Sequence, residues 1–230
     1  MSAAPYKEAT MLEKFTWYKQ SAYKWKGEGL TVYIDPWGLK AQEEPADVIF
    51  ITHAHSDHFE PTDIEKIRKK TTQFVAPRDV ADKLTGNVKA IKPGESLDVA
   101  GIKFQTVPAY STVEHRLQTH PKSNNWVGYI LSLEGQRYWF SGDGDPNPDI
   151  EQVKTDVALI CVGGDPYVMS ASEAAGVVKK IKPQLAVPNH YGFVVGVASD
   201  GEAFAKEAAP IKVQIMKPVN AFERTGVAAH

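Results

Sequence analysis

Short apolar runs, separated by polar or glycine-containing segments, extend along most of the chain. Runs rich in valine, isoleucine and aromatic residues are typical of strands that enter a folded core. The pattern predicts strands at residues 15–18, 30–34, 48–51, 74–76, 88–91, 126–133, 137–140, 157–162, 185–187 and 213–216. It also predicts a turn at 26–29, which makes a hairpin of the first two strands, and a second hairpin at 96–107 that turns near Ala100 and Gly101.

Other segments have helical rather than strand-like spacing. They lie at residues 61–70, near 79, at 170–181 and at 200–208. Thr62 is the predicted cap of the first helix, and Ser170 with Glu173 forms a capping-box pattern at the start of the third. Strands therefore come first in runs and later alternate with helices, an order that suits two sheets packed face to face with helices outside.

The chain is long enough to form a full hydrophobic core. It has 230 residues, of which 43% are hydrophobic, and we predict one domain over residues 1–230 with residues 1–14 loosely ordered. The formal net charge is only −2, with acidic and basic residues interspersed. This balance gives no reason to expect a nucleic-acid or membrane partner, so a small-molecule substrate is the expected partner. An oligomer is compatible with this composition.

The single cysteine and the composition of the first residues indicate the cellular compartment. Cys161 is the only cysteine, which excludes an internal disulfide, and its apolar neighbours predict a buried core residue rather than a nucleophile. Lys7, Glu8 and Glu13 stand where a signal peptide requires an apolar run, and no apolar stretch approaches the length of a membrane span. These features predict a soluble, cytoplasmic protein.

Four metal-binding side chains are concentrated directly after the apolar run at 48–51. They are His53, His55, Asp57 and His58, in a chain with only seven histidines. His53 and His55 are two positions apart, so in an extended segment their side chains leave on the same side and can converge on one ion. Asp57 and His58 are adjacent and cannot easily join the same shell, which points to a second ion. A polar surface loop would not account for this spacing immediately after a core strand.

The motif at residues 53–58, His-Ala-His-Ser-Asp-His, resembles the His-x-His-x-Asp-His signature of the metallo-β-lactamase superfamily. Other family features follow in the expected order along most of the chain: Asp35-Pro36, Gly142-Asp143 and Pro188-Asn189-His190. The chain is similar in particular to the compact bacterial and archaeal metal-dependent hydrolases, the group that includes ascorbate-6-phosphate lactonase-like proteins. This resemblance implies an α/β (α+β) fold in the form of a four-layer αββα sandwich.

The resemblance also implies further ligands from the second half of the chain. Asp143 matches the aspartate that bridges two ions in family members, and His190 matches the last histidine of the family and is assigned to the second metal. Many relatives carry a first-metal histidine where this chain has Tyr110, whereas the compact subgroup points to His120 in a His-Pro-Lys segment. We therefore predict His120 as that ligand, with His115 as the reserve, and a mononuclear site if neither binds.

The expected activity is metal-dependent hydrolysis by a binuclear zinc-type enzyme. Two divalent ions, most consistent with zinc and alternatively manganese or iron, would generate a metal-bound hydroxide at neutral pH. We expect this hydroxide, positioned by the catalytic carboxylates Asp57 and Asp143, to attack a small ester, lactone or phosphodiester. The candidate substrate-binding side chains are Tyr110, His115, Lys122 and Tyr191. The resemblance favours a phosphorylated or acidic small molecule.

Two other classes of function fit the same motif. The scaffold can hold iron and perform redox chemistry, although relatives of that type usually carry an additional flavin-binding or electron-transfer domain, for which a chain of 230 residues has no room. The chain can also be a non-catalytic metal-binding or regulatory protein. The identity of the bound metal separates the first alternative from hydrolysis, and the activity of an Asp143→Asn variant separates the second.

Overall fold

Two six-stranded β-sheets form the centre of the molecule, for which a computed structural model describes residues 11–27 and 29–226. The first sheet contains, in spatial order, β1 (Phe15–Trp17), β2 (Tyr23–Gly27), β3 (Leu30–Ile34), β4 (Val48–Phe50), β5 (Gln73–Pro77) and β6 (Asn87–Ile91). The second contains β7 (Ser96–Val99), β8 (Ile102–Pro108), β9 (Val127–Leu133), β10 (Gln136–Phe140), β11 (Val157–Cys161) and β12 (Leu185–Asn189). Neighbours in each series are paired, so the chain finishes one sheet before it builds the other.

Each sheet is antiparallel on one side and parallel on the other. In the first sheet β1, β2 and β3 are antiparallel, and β3 to β6 are parallel. In the second sheet β7 to β10 are antiparallel, and β10, β11 and β12 are parallel. Parallel neighbours need crossover connections, and α-helices lie in the connections from β4 to β5, from β5 to β6 and from β11 to β12.

Helices lie on the outer faces of both sheets. In the described part of the chain the α-helices are α1 (Pro61–Ile67), α2 (Arg78–Ala81), α3 (Ala171–Ile181) and α4 (Asp200–Glu207). Ile64 of α1 and Val80 of α2 pack in one apolar cluster with Phe74 of the first sheet. Val178 of α3 and Phe204 of α4 belong to the main core with the second sheet. The order helix, sheet, sheet, helix confirms the predicted αββα sandwich.

Strand β4 shows why this sequence makes a sheet with two buried faces. Val48 and Phe50 point into the main core between the sheets, whereas Ile49 points to the cluster under α1 and α2. All three side chains are buried, because alternate positions of a strand face opposite sides. The continuous apolar run therefore fits a strand covered on both sides, and it delivers the loop that follows at a fixed place.

The predicted first hairpin is wrong in its pairing. The strand Phe15–Trp17 pairs with Tyr23–Gly27, an additional strand, and only that second strand pairs with Leu30–Ile34. The predicted turn at 26–29 therefore joins β2 and β3, and it contains Glu28, which lies outside the described residues. The second hairpin is confirmed, because β7 and β8 are antiparallel neighbours across Ala100 and Gly101.

Two further element predictions need correction. Residues 213–216 do not form a strand, since Val213 makes only an isolated bridge with Ala186 at the edge of β12. The first helix begins at Pro61, whose ring fixes φ, so its cap is Glu60, which accepts a hydrogen bond from the backbone N–H of Thr62. That helix ends at Ile67 rather than at residue 70.

The beginning of the described chain is packed rather than loose. Met11 and Leu12 are buried, and the hydroxyl of Tyr138 donates to the backbone oxygen of Met11. Residues 1–10 lie outside the described part, so the prediction of loose order there stays a prediction. Across the residues that the structure describes, every helix is too short or too polar to cross a membrane.

Candidate metal centre

The predicted ligand loops meet at one edge of the sandwich. Strands β8, β10 and β12 run in the same direction, so the loops that follow them leave from the same end of the second sheet. The loop after β4 joins them, because the backbone N–H of Val127 donates to Thr52 O at 3.2 Å. The turn after β1 also joins them, since the N–H of His190 donates to Gln20 O at 3.0 Å. Five distant parts of the sequence thus reach one place.

Three groups of three side chains lie at this edge, each with its ligand atoms within 4.8 Å of one another. One group, His53, His58 and Asp143, overlaps the other two, which share no residue and are called triads here. The first triad consists of His53, His55 and His120, and the second of Asp57, His58 and His190. The structure thus brings His120, rather than His115, beside His53 and His55. Imidazole and carboxylate triads of this kind are the protein ligands that zinc-type sites use. The role of each side chain as a ligand stays a prediction.

Asp143 lies between the two triads. Its Oδ2 atom is 2.7 Å from Nε2 of His190 and 3.3 Å from Nε2 of His58, both in the second triad. The same oxygen is 3.5 Å from Nε2 of His120 and 3.8 Å from Nε2 of His53, both in the first. One carboxylate therefore touches both triads, as an aspartate shared between two ions would.

A glycine sets the position of Asp143. Gly142 has a φ of +62°, and a Cβ atom there would lie 2.8 Å from the backbone oxygen of Val127. Only glycine suits both the left-handed backbone and the close approach. The turn after β10 can therefore bring Asp143 down onto the triads, where its side chain is buried.

Several buried polar atoms at this edge have no hydrogen-bond partner, and this indicates whether the residues suit a metal ion. His58 Nε2, His120 Nε2 and Asp143 Oδ1 are buried and have no hydrogen-bond partner. Leaving such atoms unpaired costs about 1–3 kcal/mol each, so buried polar groups are normally satisfied. Divalent cations would satisfy these nitrogen and oxygen atoms together. The donor set therefore fits a metal centre.

Asp35 holds His58 in the orientation that frees its Nε2 atom. The carboxylate of Asp35 lies 2.7 Å from His58 Nδ1 and also accepts hydrogen bonds from the backbone N–H and the hydroxyl of Thr52, each at 2.7 Å. A carboxylate on one imidazole nitrogen fixes the tautomer and leaves the other nitrogen for a metal. Asp35 lies in the Asp-Pro turn that the sequence analysis singled out.

The buried carboxylates and imidazoles shift one another's pKa values. Burial alone would lower the pKa of His190, but the adjacent carboxylates of Asp143 and Asp57 raise it to about 9. The same opposition of burial and nearby carboxylates raises the pKa of His58 well above the ordinary histidine value. Burial would raise the pKa of Asp143, yet the surrounding histidines hold it well below the ordinary carboxylate value. These carboxylates require positive charge beside them, and divalent cations can supply it by displacing the protons of the histidines.

The predicted substrate-binding residues do not line the cavity at the triads. His115 is largely exposed and pairs with Asp165, with 2.7 Å between Nε2 and Oδ1. Lys122 lies 3.3 Å from the hydroxyl of the buried Tyr110. Tyr191 is fully buried and packs against Trp17, with 5.5 Å between ring centroids. Tyr191 belongs to the main core and the Tyr110 hydroxyl contacts Lys122 and Asp149, so neither tyrosine lines the cavity.

A cavity of about 220 Å³ opens onto both triads and Asp143. Its wall is formed by His55, Ser56, Asp57, Thr119, His120, Asp143, Tyr167, His190 and Val194. Five of these side chains belong to the predicted ligand set, and the other four had not been singled out in the sequence. A small molecule in the cavity would therefore meet the ligands directly.

Gln20 is a site residue that the sequence analysis missed. It is fully buried, and its amide Nε2 lies 3.2 Å from Asp57 Oδ2 and 3.1 Å from His190 Nε2. Its backbone is left-handed, with a φ of +50°, which turns the chain after β1 toward the second triad. A single glutamine in a turn carries no motif, so only the folded backbone reveals this contact.

We expect Gln20→Gly to weaken the binding of the second metal equivalent by about 10- to 100-fold, the usual effect of losing a partner of a metal ligand. Glycine removes the amide and tolerates the positive φ, so the backbone is not strained by the change. The affinity would be measured by zinc competition with a chromogenic chelator. Glu134→Gly is the matched control, since Glu134 also has a positive φ but lies in the turn between β9 and β10. Equal affinities for the wild type and the Gln20 variant would show that the amide has no role.

Comparison with known proteins identifies the family. The model of the beta-lactamase superfamily domain matches residues 14–190. A UPF0173 metal-dependent hydrolase from Thermococcus onnurineus is 32% identical, covering 81% of this chain and 89% of that protein, and one from Methanopyrus kandleri is 28% identical, covering 92% and 100%. The crystal structure of a candidate metal-dependent hydrolase from Parabacteroides distasonis matches with a TM-score of 0.80 at 28% identity, covering 89% of this chain and 92% of that chain. This chain therefore belongs to the metallo-β-lactamase-fold superfamily, within the UPF0173 family.

Proposed function

We propose that this protein is a metal-dependent hydrolase that uses two divalent cations, with zinc the best fit to the donors, to cleave a small ester, lactone or phosphodiester. The observation that carries this proposal is the pair of ligand triads joined by Asp143 at the base of a cavity. The names of the UPF0173 relatives, which are called metal-dependent hydrolases, support the same reaction class.

Each triad would hold one ion. His53, His55 and His120 would hold the first, Asp57, His58 and His190 the second, and Asp143 both. When bound, a divalent cation of this type lowers the pKa of water to about 7 and polarises an oxygen of the substrate.

The side chains of the chain itself orient the reactants. Asp57 lines the cavity and accepts a hydrogen bond from Gln20, so its carboxylate is held in place beside an attacking water. Oδ1 of Asp143 makes no hydrogen bond, so this atom can accept one from a bound ligand or from the attacking water. The hydroxyls of Ser56 and Thr119 also line the cavity and can donate to a leaving oxygen. Fixed groups of this kind contribute by positioning.

The test compares zinc-loaded and chelator-treated protein on a panel containing a γ-lactone, an aryl ester and an aryl phosphodiester. We expect hydrolysis of at least one class, loss of that activity on chelation and its return when zinc is added. His58→Ala should be at least about 100-fold slower, because it removes a ligand rather than an outer partner. Asp149→Asn is the control, since Asp149 lies outside both triads. If the protein binds metal but hydrolyses none of the three substrate classes, the proposal that it is a hydrolase is contradicted. If it contains iron and consumes oxygen, the redox alternative is favoured.

A further inference from the structure

Two exposed apolar side chains stand in the cavity wall. Tyr167, in the loop between β11 and α3, is 40% exposed, and Val194, in the loop after β12, is 43% exposed. Among the described residues the other large apolar side chains with this exposure are Leu117, Ile215 and Val219. Apolar surface of this kind is stabilised when a ligand covers it. The two residues come from different loops and meet at the cavity, which gives them a common position beside the ligands.

Basic side chains near the cavity are already engaged with other groups. Buried Arg116 donates to Asp145 and Asp165 at 2.6 Å each and to Glu173 at 3.1 Å. Lys122 is held at the ring of Tyr110, 4.3 Å from its centroid. Of the described residues that form the cavity wall, none is a lysine or an arginine.

The composition of the wall limits the kind of group that can lie beyond the reacting bond. A carboxylate or phosphate removed from water needs charge-assisted hydrogen bonds, which arginine and lysine usually provide. Apart from the predicted ligands, the wall offers the ring and hydroxyl of Tyr167, the isopropyl group of Val194 and the hydroxyls of Ser56 and Thr119, none of which carries a positive charge. The cavity volume of about 220 Å³ lies below the roughly 300 Å³ at which pockets for drug-sized ligands begin. The cavity therefore suits a short uncharged group.

We propose that the substrate carries a short, uncharged apolar group, alkyl or aryl, next to the bond that is cleaved, and that Tyr167 and Val194 bind this group. The inference rests on the proposed function and names the substrate class of the same site. It differs from the acidic or phosphorylated substrate that the family resemblance favours. The bond that is cleaved would lie at the metal ligands, and the apolar residues of the wall would determine which substituent next to that bond can bind.

A binding experiment with metal-directed probes tests this proposal without requiring turnover. Zinc-loaded protein is titrated by calorimetry with acetohydroxamate, hexanohydroxamate and the monohydroxamate of adipic acid. The last two have chains of equal length and differ in a terminal carboxylate. We expect hexanohydroxamate to bind roughly tenfold more tightly than acetohydroxamate, which corresponds to burying about two methylene groups. The carboxylate-terminated probe should show none of this gain.

Variants of the wall identify the residues responsible. Tyr167→Ala and Val194→Ala should each reduce the advantage of hexanohydroxamate, while acetohydroxamate binds as before. Val219→Ala is the matched control, because Val219 is equally exposed at 43% and does not line this cavity. Val194→Lys should shift the preference toward the carboxylate-terminated probe, which a structural disturbance alone would not do.

The outcomes separate the inference from the function beneath it. The apolar substrate class would be overturned if hexanohydroxamate bound no more tightly than acetohydroxamate. It would also be overturned if the carboxylate-terminated probe bound more tightly than hexanohydroxamate. Neither result would contradict the metal centre. Protein that holds zinc but binds none of the three probes would overturn the inference, whereas protein that takes up no zinc would overturn both the metal centre and the inference. Zinc content measured after each titration shows that a probe has bound and has not removed the metal.

Discussion

Asp143→Asn is expected to abolish hydrolysis and to reduce zinc binding while the fold is retained. Asp143 Oδ2 is within 3.8 Å of a nitrogen of His53, His58, His120 and His190, so its charge serves both triads. Asparagine has nearly the same shape but cannot supply a negative charge to two cations. Since loss of an outer partner alone costs about 10- to 100-fold, loss of this shared ligand should lower kcat/KM by more than about 100-fold.

The fold should survive because Asp143 makes no hydrogen bond through Oδ1 that asparagine would have to replace. Circular dichroism and the thermal midpoint would show this directly. Asp149→Asn provides the matched control, since it changes an aspartate of the same segment that lies outside both triads, where its carboxylate accepts a hydrogen bond from Tyr110 and lies 4.0 Å from Lys122 Nζ. Wild-type activity in the Asp143 variant would remove the shared carboxylate from the mechanism and favour a protein that only binds metal.

His120→Ala should lower the zinc content from about two ions per chain to about one, whereas His115→Ala should leave it unchanged. His120 is buried beside His53 and His55, and its Nε2 atom has no hydrogen-bond partner. His115 lies on the same loop but is exposed and pairs with Asp165 on the surface. The two variants therefore remove a histidine side chain from a buried position beside the first triad and from an exposed position on the surface.

Zinc content by elemental analysis, with activity on the same samples, distinguishes these expectations. The first triad is contradicted if the His120 variant keeps both ions. Loss of an ion from the His115 variant alone would require a different arrangement of the loop at 110–125. An equal loss from both variants would indicate a general effect on the loop rather than a ligand.

Local patterns predict the strands and the ligand loop at residues 53–58. The apolar run before Thr52 predicts a core strand, and the spacing of His53 and His55 directs two imidazoles to one side. The αββα arrangement and the ligands from the second half of the chain rest instead on the resemblance to the metallo-β-lactamase superfamily. The need for glycine at position 142 depends on the close approach of Val127, which only the folded chain shows.

Strand β2 was missed although its signal is present. Tyr23 and Trp25 are buried, whereas Lys26 is exposed and Lys24 is half-buried, which is the alternation expected of a strand. The predicted strand at 213–216 shows the opposite error. Its apolar residues are not buried on one face, since Ile215 is 43% exposed, and the segment only touches the edge of β12.

The substrate side of the site depends on packing between distant segments, so the sequence does not reveal it. Tyr191 directly follows a predicted ligand, yet its ring packs against Trp17 of the first sheet instead of lining the cavity. Tyr167 and Val194 were not among the predicted site residues, and they line one cavity only because two loops of the second sheet converge there. Gln20 reaches the second triad through a left-handed turn, which no pattern of residue types specifies.

The most direct test of the central claim is the number of zinc ions bound per chain, measured by elemental analysis after loading with zinc and removal of unbound metal. We expect about two ions per wild-type chain, one for each triad, and hydrolysis that follows their occupancy. A single ion at saturation would contradict the binuclear centre. No bound metal under any loading condition would contradict the metal centre itself.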